Sequence, residues 1–142
     1  MTTEIEGNIL VEFDEADLVD GHYDVPDGVT EIGDRTFSCC ESLTSITIPE
    51  SVTEIGTWAF SCCTSLTRIA IPESVTTIGD WAFYDCASLT SIAIPGGITE
   101  IGAWAFFGCE SLTSITISDV VIKTALSKLI GCGEKVKLKT GD

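Results

Sequence analysis

The sequence is poor in the residues that carry most polar chemistry. Its 142 residues include a single histidine, His22, and a single methionine, and seven lysines and arginines stand against 22 aspartates and glutamates. The resulting net charge of −15 disfavours nucleic acid as a partner, because phosphate binding needs clustered basic side chains. Anionic membrane surfaces are disfavoured for the same reason.

Long apolar runs are missing as well. No apolar segment approaches the ~20 residues that cross a bilayer. The first ten residues, MTTEIEGNIL, carry acids where a signal peptide has a basic segment and an apolar run. These absences predict a cytoplasmic protein without a membrane span. The basic residues are also unevenly placed, since only Arg35 and Arg68 precede residue 119 and five lysines follow it.

Proline is rare but regular. The four prolines lie at positions 26, 49, 72 and 95, a constant step of 23 residues. Aligned at that step, residues 25–116 form four units, VPDGVTEIGDRTFSCCESLTSIT, IPESVTEIGTWAFSCCTSLTRIA, IPESVTTIGDWAFYDCASLTSIA and IPGGITEIGAWAFFGCESLTSIT. A fixed period of this size predicts a solenoid, and 23 residues lies within the range of leucine-rich repeats.

Each unit has the pattern of one solenoid coil with two short strands and a turn. In the segment SLTSITIP, Leu43, Ile46 and Ile48 have the L-x-x-L-x-L spacing of an inward-facing strand, which the proline ends. The segment VTEIG predicts a second strand before a glycine turn. The segment WAFxxC predicts a turn or short helix with its Ala, Phe and Cys inward. Neighbouring coils are expected about 4.8 Å apart, so residues at the same repeat position should contact each other.

The flanking segments are expected to close the ends of one solenoid domain over residues 1–142, because a stack must cover its terminal apolar faces. Residues 1–24 are assigned to an N-terminal cap with a strand at NILVEF. Residues 117–142 are assigned to a degenerate repeat and a C-terminal cap. In that cap SDVVIKTALSKLIG has helical apolar periodicity, and VKLK predicts a final strand.

The consensus IPESVTxIGxxAFxxCxSLTSI resembles the BspA-like leucine-rich repeats. The match covers residues 25–116 and rests on recurring Pro, Val/Ile-Thr, Ile-Gly, Phe, Cys and Ser-Leu-Thr positions. The resemblance implies a right-handed superhelix of short parallel strands. It also implies a non-catalytic module that binds proteins or cell surfaces, without a cofactor.

The seven cysteines occupy two repeat positions. One position recurs in every unit, and its members are Cys40, Cys63, Cys86, Cys109 and Cys132. Because a catalytic nucleophile occurs only once, this recurrence indicates a role in the fold. Buried thiols are expected there, and zinc is disfavoured, since tetrahedral sites usually use close cysteine pairs. Cys39 and Cys62 align with Asp85 and Gly108 and are predicted to be exposed free thiols. A 39–62 disulfide is the alternative, because residues stacked in adjacent coils fall within disulfide range.

Two surfaces are candidate partner-binding sites. The first is an aromatic strip, in which a tryptophan column headed by Arg35 runs beside Tyr84 and Phe107; the tryptophans are Trp58, Trp81 and Trp104. Trp and Tyr are frequent interface anchors, and the alternative is that these rings only shield the backbone. The second is the strand face, which is flat, small and nearly uncharged; it contains Ser45, Thr47, Arg68, Ser91 and Ser114.

Two other patterns have alternative interpretations. Threonines recur in two columns, and such arrays are compatible with ice binding, although the general repeat pattern accounts for them. The acidic segment with Asp14, Glu15, Asp17 and Asp20 lacks the spacing of a calcium-binding loop. We interpret it as a solvated acidic cap.

No enzyme is predicted. A Ser-His or Cys-His catalyst would need His22, which has no recognisable nucleophile motif beside it, and no GxSxG, P-loop or dinucleotide fingerprint is present. The sequence therefore predicts a module that binds a protein partner through the strand face or the aromatic strip, without cofactor or metal. The alternatives are a cell-surface or extracellular adhesion module and a self-assembling structural protein. In the last case homo-oligomers form when the acidic N-terminal end docks on the lysine-bearing C-terminal end.

Overall fold

A computed structural model describes residues 2–117 and 137–140 of the chain. Within these residues the protein is built from short strands and turns, with one 3-10 turn at Glu15–Asp17. The strands are β1 Glu4–Glu6, β2 Ile9–Glu12, β3 His22–Asp24, β4 Glu31–Ile32, β5 Ser45–Thr47, β6 Glu54–Ile55, β7 Arg68–Ala70, β8 Thr77–Ile78, β9 Ser91–Ala93, β10 Glu100–Ile101, β11 Ser114–Ile117 and β12 Lys137–Thr140.

The VTEIG segments form one parallel ladder along the stack. Its order is β1-β2-β4-β6-β8-β10, with β1 antiparallel at the N-terminal edge. Residues at the same repeat position pair directly, so that Ile55 lies between Ile32 and Ile78. These isoleucines are buried, as the alternation of a strand requires. The strand predicted for this segment is confirmed.

The SLTSI segments form the second parallel ladder. β3 pairs with β5, β7 lies beside β5, and β7, β9, β11 and β12 continue in that order. The register is again that of the repeat, with Ile92 between Ile69 and Ile115. β12 runs parallel to β11, which confirms the predicted final strand.

The WAFxxC segments form turns that build a third ladder. Two residues of each turn have a left-handed backbone, for example Trp58 with φ 61° and Cys62 with φ 58°. This conformation costs about 1 kcal/mol or more for a residue other than glycine. The N–H groups of Trp58, Phe60 and Cys62 donate to carbonyl oxygens of the next coil at 3.0, 2.7 and 2.6 Å. The bonds between coils therefore offset the strain within each coil.

A column of phenylalanines runs through the centre of the stack. Phe37, Phe60, Phe83 and Phe106 are almost completely buried and stack with ring centroids 5.1 to 5.4 Å apart. Leucine, isoleucine, valine, alanine and cysteine side chains at the other inward positions complete the core. At the N-terminal end the ring of Phe13 lies 4.7 Å from that of Phe37 and covers the column.

Residues 2–24 contribute more than a covering cap. β2 pairs in parallel with β4, and β3 pairs in parallel with β5, so both ladders extend by one coil. Only β1, through its antiparallel direction, ends the stack. The helix predicted at residues 118–131 and the fifth column cysteine, Cys132, lie outside the described residues.

Candidate interaction surfaces

The tryptophans of the aromatic strip lie on top of one another. Trp58 and Trp81 stack with ring centroids 5.0 Å apart and planes within 3°, and Trp104 continues the stack at 5.9 Å. Beside them Tyr84 and Phe107 stack at 5.9 Å and meet the indoles edge-on. The structure thus brings the five aromatic residues of the strip into one continuous surface.

Exposure of this strip increases toward its C-terminal end. Trp58, Trp81 and Tyr84 are partly buried, whereas Trp104 is 45% and Phe107 38% exposed. Within the stack each indole face is covered by the next indole, so mainly ring edges are presented to solvent. The inner rings therefore shield the turn backbone, and the apolar surface open to a partner lies at Trp104 and Phe107.

Carboxylates lie beside the strip. Asp80 and Asp85 are exposed and adjoin Trp81 and Tyr84 in the chain. Asp80 Oδ1 also accepts a hydrogen bond of 2.7 Å from the backbone N–H of Ala103, which fixes the carboxylate against the next coil. The local field therefore favours a cationic group over an anionic one.

Arg35 occupies the tryptophan position of its coil. It is exposed, has a left-handed backbone and lines an open cavity of about 350 Å³ together with Glu12, Phe13 and Asp34. The predicted strip therefore changes character at this end, from stacked aromatic rings to mixed charges.

The strand face is formed by short polar side chains and Arg68. Arg68 and Ser91 are exposed, and Ser45 and Ser114 are partly buried at the equivalent positions of their strands. Thr47, on the same face, is exposed. This surface offers hydroxyl groups and one guanidinium over residues 45–116 but no apolar anchor.

A polar cluster on the first strands of this face was missed by sequence reasoning. β3 and β5 pair in register, so His22 lies opposite Ser45 and Asp24 opposite Thr47. His22 Nδ1 is 2.6 Å from Ser45 Oγ, and His22 Nε2 is 2.9 Å from Asp24 Oδ1. Hydrogen bonds from His22 and Thr47 lower the pKa of Asp24 below its usual value. The sequence did contain one signal for this cluster, because His22 precedes Ser45 by 23 residues, the length of one repeat. His22 itself lies just before the first of the four aligned units.

The described members of the five-cysteine column are buried free thiols. The Sγ atoms of Cys63, Cys86 and Cys109 donate to backbone carbonyl oxygens of Phe37, Phe60 and Phe83 in the preceding coil, at 3.0 to 3.1 Å. Burial raises the pKa of Cys40 to about 12 and that of Cys63 further. A hydrogen bond with Cys109, followed by burial, raises the pKa of Cys86. The raised pKa values keep the thiols of Cys40, Cys63 and Cys86 protonated near neutral pH.

Cys39 and Cys62 are free thiols in the other column, the first exposed and the second partly buried. Both have a left-handed backbone, and their side chains share a hydrogen bond. Burial raises the pKa of Cys62, and the neighbouring Cys39 raises it further. The pair is therefore accessible to reagents, although its thiolate form is disfavoured at Cys62.

Thiol titration is expected to separate the two columns. At pH 8 an aromatic disulfide reagent should modify two more thiols in the folded native chain than in a Cys39→Ser/Cys62→Ser variant, with Cys39 reacting within minutes and Cys62 more slowly, because the thiolate is the reacting form and burial raises the pKa of Cys62. Cys40, Cys63, Cys86 and Cys109 are buried and should add nothing to this difference. The measurement is the absorbance change before and after treatment with a reductant. A difference of zero before reduction and two after it would show the 39–62 disulfide instead.

The threonine columns are bonded into the backbone. The hydroxyl groups of Thr53, Thr76 and Thr99 each donate to the carbonyl oxygen of the equivalent threonine one coil earlier, at 3.2 to 3.3 Å. Hydroxyl groups held in this way support the coil spacing. They favour a structural role over an ice-binding one.

The acidic N-terminal segment forms a short capped turn. Asp14 Oδ1 accepts the N–H of Ala16 at 2.9 Å, at the start of the 3-10 turn. Among residues 2–117, no group of three or more His, Cys, Asp or Glu side chains is arranged to hold a metal ion. In the same part of the chain no helix has the length and apolarity of a bilayer span.

The repeat pattern and the fold both match known proteins. The model of the BspA type leucine rich repeat region matches residues 18–132 in six copies. A leucine rich cell surface protein from Faecalibacterium prausnitzii is 33% identical over 94% of this chain and 35% of its own, with a TM-score of 0.78. A leucine-rich repeat protein from Bacteroides ovatus is 25% identical over 85% of this chain and 42% of its own, with a TM-score of 0.70. The pneumococcal vaccine antigen PcpA is 26% identical over 78% of this chain and 27% of its own, with a TM-score of 0.73.

The chain thus spans less than half the length of each of these three structures. A search of the curated proteins gives no match. The match of the repeat model begins at residue 18, ahead of the first proline-bearing unit, in agreement with the strand pairing of β3 and β5. With matching repeats over most of its length, the chain belongs to the family of BspA-type leucine-rich repeat proteins.

Proposed function

We propose that the protein is an interaction module that binds a basic segment of a protein partner at the C-terminal end of its aromatic strip. The observation that carries the proposal is the exposure of Trp104 and Phe107, two large apolar side chains side by side on a rigid stack. Central aromatic residues supply much of the binding energy in protein interfaces. The repeat fold is often used for protein interaction or surface adhesion.

The charge of the chain supports a basic partner. Asp80 and Asp85 border the strip, and Glu110 is exposed in the coil of Trp104. Over residues 69–119 the sequence has no lysine or arginine. A lysine or arginine side chain can therefore contact an aromatic ring and a carboxylate together, and cation–π contacts contribute about 0.5 to 2 kcal/mol.

Trp104→Ala is expected to weaken partner binding about 30-fold, the effect of removing a 2 kcal/mol interface anchor. The fold should persist, because Trp104 stacks against only one described indole and is the most exposed of the three. The measurement is the affinity, by calorimetry, for a partner captured from the native cell with the intact chain. Circular dichroism checks the fold of the variant.

Ser91→Ala/Ser114→Ala is the matched control on the strand face and should bind with native affinity. The opposite pattern, in which the strand-face variant loses binding and Trp104→Ala does not, would assign the interface to the strand face. An unchanged affinity at 50 mM and 500 mM salt would contradict a basic partner segment.

A cell-surface adhesion role is the second candidate. It is favoured by the similarity to the Faecalibacterium prausnitzii protein, which is described as a leucine rich cell surface protein.

A cytoplasmic location is our first proposal, supported by the free thiols of all six described cysteines, which are typical of reducing compartments. Cell fractionation distinguishes the two locations. Light scattering at low and high salt tests self-assembly into homo-oligomers.

A further inference from the structure

The single histidine of the chain forms a continuous hydrogen-bond chain with a serine and an aspartate on the strand face. We propose that Ser45, His22 and Asp24 form an acyl-transfer site in which Ser45 is an activated nucleophile that hydrolyses small carboxylic esters. This function is separate from partner binding at the aromatic strip and does not depend on it. The expectation that His22 lacks a nucleophile was an inference from neighbouring sequence alone, and the fold places one against it.

The hydrogen-bond partners select the tautomer of His22. The Asp24 carboxylate can only accept, so the Nε2 atom at 2.9 Å must carry the hydrogen. Nδ1 then has a free lone pair, which accepts the Ser45 hydroxyl hydrogen at 2.6 Å. Thr47 Oγ1 lies 3.1 Å from Nε2 and its hydroxyl donates to Asp24. The network therefore orients the Nδ1 lone pair of His22 as a base toward Ser45. The two ring nitrogens have exchanged roles relative to the Ser-His-Asp triad, in which Nε2 faces the serine and Nδ1 the aspartate.

The site is open to small molecules. The side chain of His22 is 37% exposed, and Asp24 and Thr47 beside it are exposed as well. Arg68 occupies the position of Ser45 on β7, the strand beside β5, and is exposed. Its guanidinium is the nearest cationic group in the repeat register that could approach the oxygen that becomes negative during acyl transfer. An open site of this kind fits a small acyl group, and the net charge of −15 selects against anionic esters.

The reaction balances with the residues present. Ser45 Oγ attacks the ester carbonyl carbon while its proton passes to His22 Nδ1. When the tetrahedral intermediate collapses, the C–O bond to the alcohol breaks, and the alcohol leaves with the proton from His22. Water gives one proton to His22 Nδ1 and attacks the acyl carbon. The bond between that carbon and Ser45 Oγ then breaks, the carboxylic acid leaves, and Ser45 Oγ takes back the proton from His22. Asp24 stays ionised throughout and stabilises the imidazolium.

The repeat provides an internal control. Ser91 and Ser114 have the same repeat position as Ser45 and pair with each other across β9 and β11. The strand neighbour of Ser91 on its other side is Arg68, so neither flanking residue is a histidine. Ser91 has the same exposure to reagents or more, without a base beside it.

The experiment is labelling of the full chain with a fluorophosphonate probe, followed by peptide mass mapping, and turnover of 4-nitrophenyl acetate. We expect one adduct, on Ser45, in the native chain and in Ser91→Ala, and none on this peptide in Ser45→Ala. His22→Gln should lower the rate of labelling by about 100-fold, the lower range for loss of a general base. Asp24→Asn, which keeps the size of the side chain, should lower the rate as well. Thermal unfolding confirms that each variant is folded.

Three results would overturn the proposal. One is a native chain with no adduct on Ser45. Another is equal labelling of Ser45 and Ser91, which would mean that His22 gives no activation. The third is a folded Asp24→Asn or His22→Gln variant that reacts at the native rate.

Discussion

Gly79→Ala is expected to lower the free energy of unfolding by about 3 kcal/mol or more, at the upper end of overpacking effects. A Cβ atom at Gly79 would lie 2.6 Å from the carbonyl carbon of Gly56 and from the backbone nitrogen of Thr57. These atoms belong to the backbone of the preceding coil and cannot rotate away as a side chain does. Gly79 also donates to the carbonyl oxygen of Ile55 at 2.8 Å, so relief of the clash would break a bond between coils.

The measurement is urea unfolding followed by circular dichroism, and for a chain of this length the midpoint of thermal unfolding should fall by about 10 °C. Gly96→Ala is the matched control, because a Cβ atom there meets nothing within 4 Å. That variant should be neutral or more stable by about 0.5 kcal/mol, since alanine reduces the freedom of the unfolded chain. Equal destabilisation by both substitutions would show that the coils can move apart at little cost.

Phe83→Ala is expected to cost 3 to 5 kcal/mol of stability, the usual range for a buried phenylalanine. Phe83 is fully buried and stacks on both faces, with ring centroids 5.3 Å from Phe60 and 5.4 Å from Phe106. The ladders on all sides fix the coil spacing, so the cavity cannot close by local collapse. The same cavity also removes a link between the N-terminal and C-terminal coils.

Phe107→Ala is the control of the same residue type, and its cost should be about 1 kcal/mol, because this ring is partly exposed and loses mainly aromatic contacts. Denaturant unfolding of both variants gives the comparison. Repeat proteins are stabilised by contacts between neighbouring coils, so Phe83→Ala should also broaden the transition and lower its denaturant dependence. A cost below 1 kcal/mol for Phe83→Ala would mean that the stack tolerates a central void.

The 23-residue step predicted most of the fold because stacking makes each residue the neighbour of its own repeat equivalent. The inward positions of Phe60 and Cys63 were predicted from the WAFxxC turn and that of Leu66 from the strand pattern, and all three are buried. The strand of Asp24 was missed because its segment lacks both the proline and the SLTSI pattern of the later units. Once that strand is placed, the step of 23 puts His22 beside Ser45, which no local motif could indicate.

The left-handed turns were also beyond the sequence pattern. Glycine or asparagine is the usual sign of such a backbone, yet Arg35, Trp58 and Trp81 adopt it here. Gly108, at the repeat position of Cys62, is the one glycine among these turn positions. A single glycine was not enough to predict a left-handed backbone at this position in every coil. The conformation is imposed by bonds to the next coil, which are tertiary contacts, and local preference is overridden.

The turn ladder has an electric polarity of its own. The N–H groups of Arg35, Phe37 and Cys39 all donate toward the C-terminal end, and the later turns repeat this direction. Because a trans peptide points its carbonyl opposite to its N–H, the preceding carbonyl groups all point toward the N-terminal end, and the peptide dipoles add as they do in a helix. The negative pole therefore lies at the first turn of this ladder. The chain places Arg35 there, where later coils have tryptophan, so the break in the aromatic column coincides with the end of this ladder that attracts a cation.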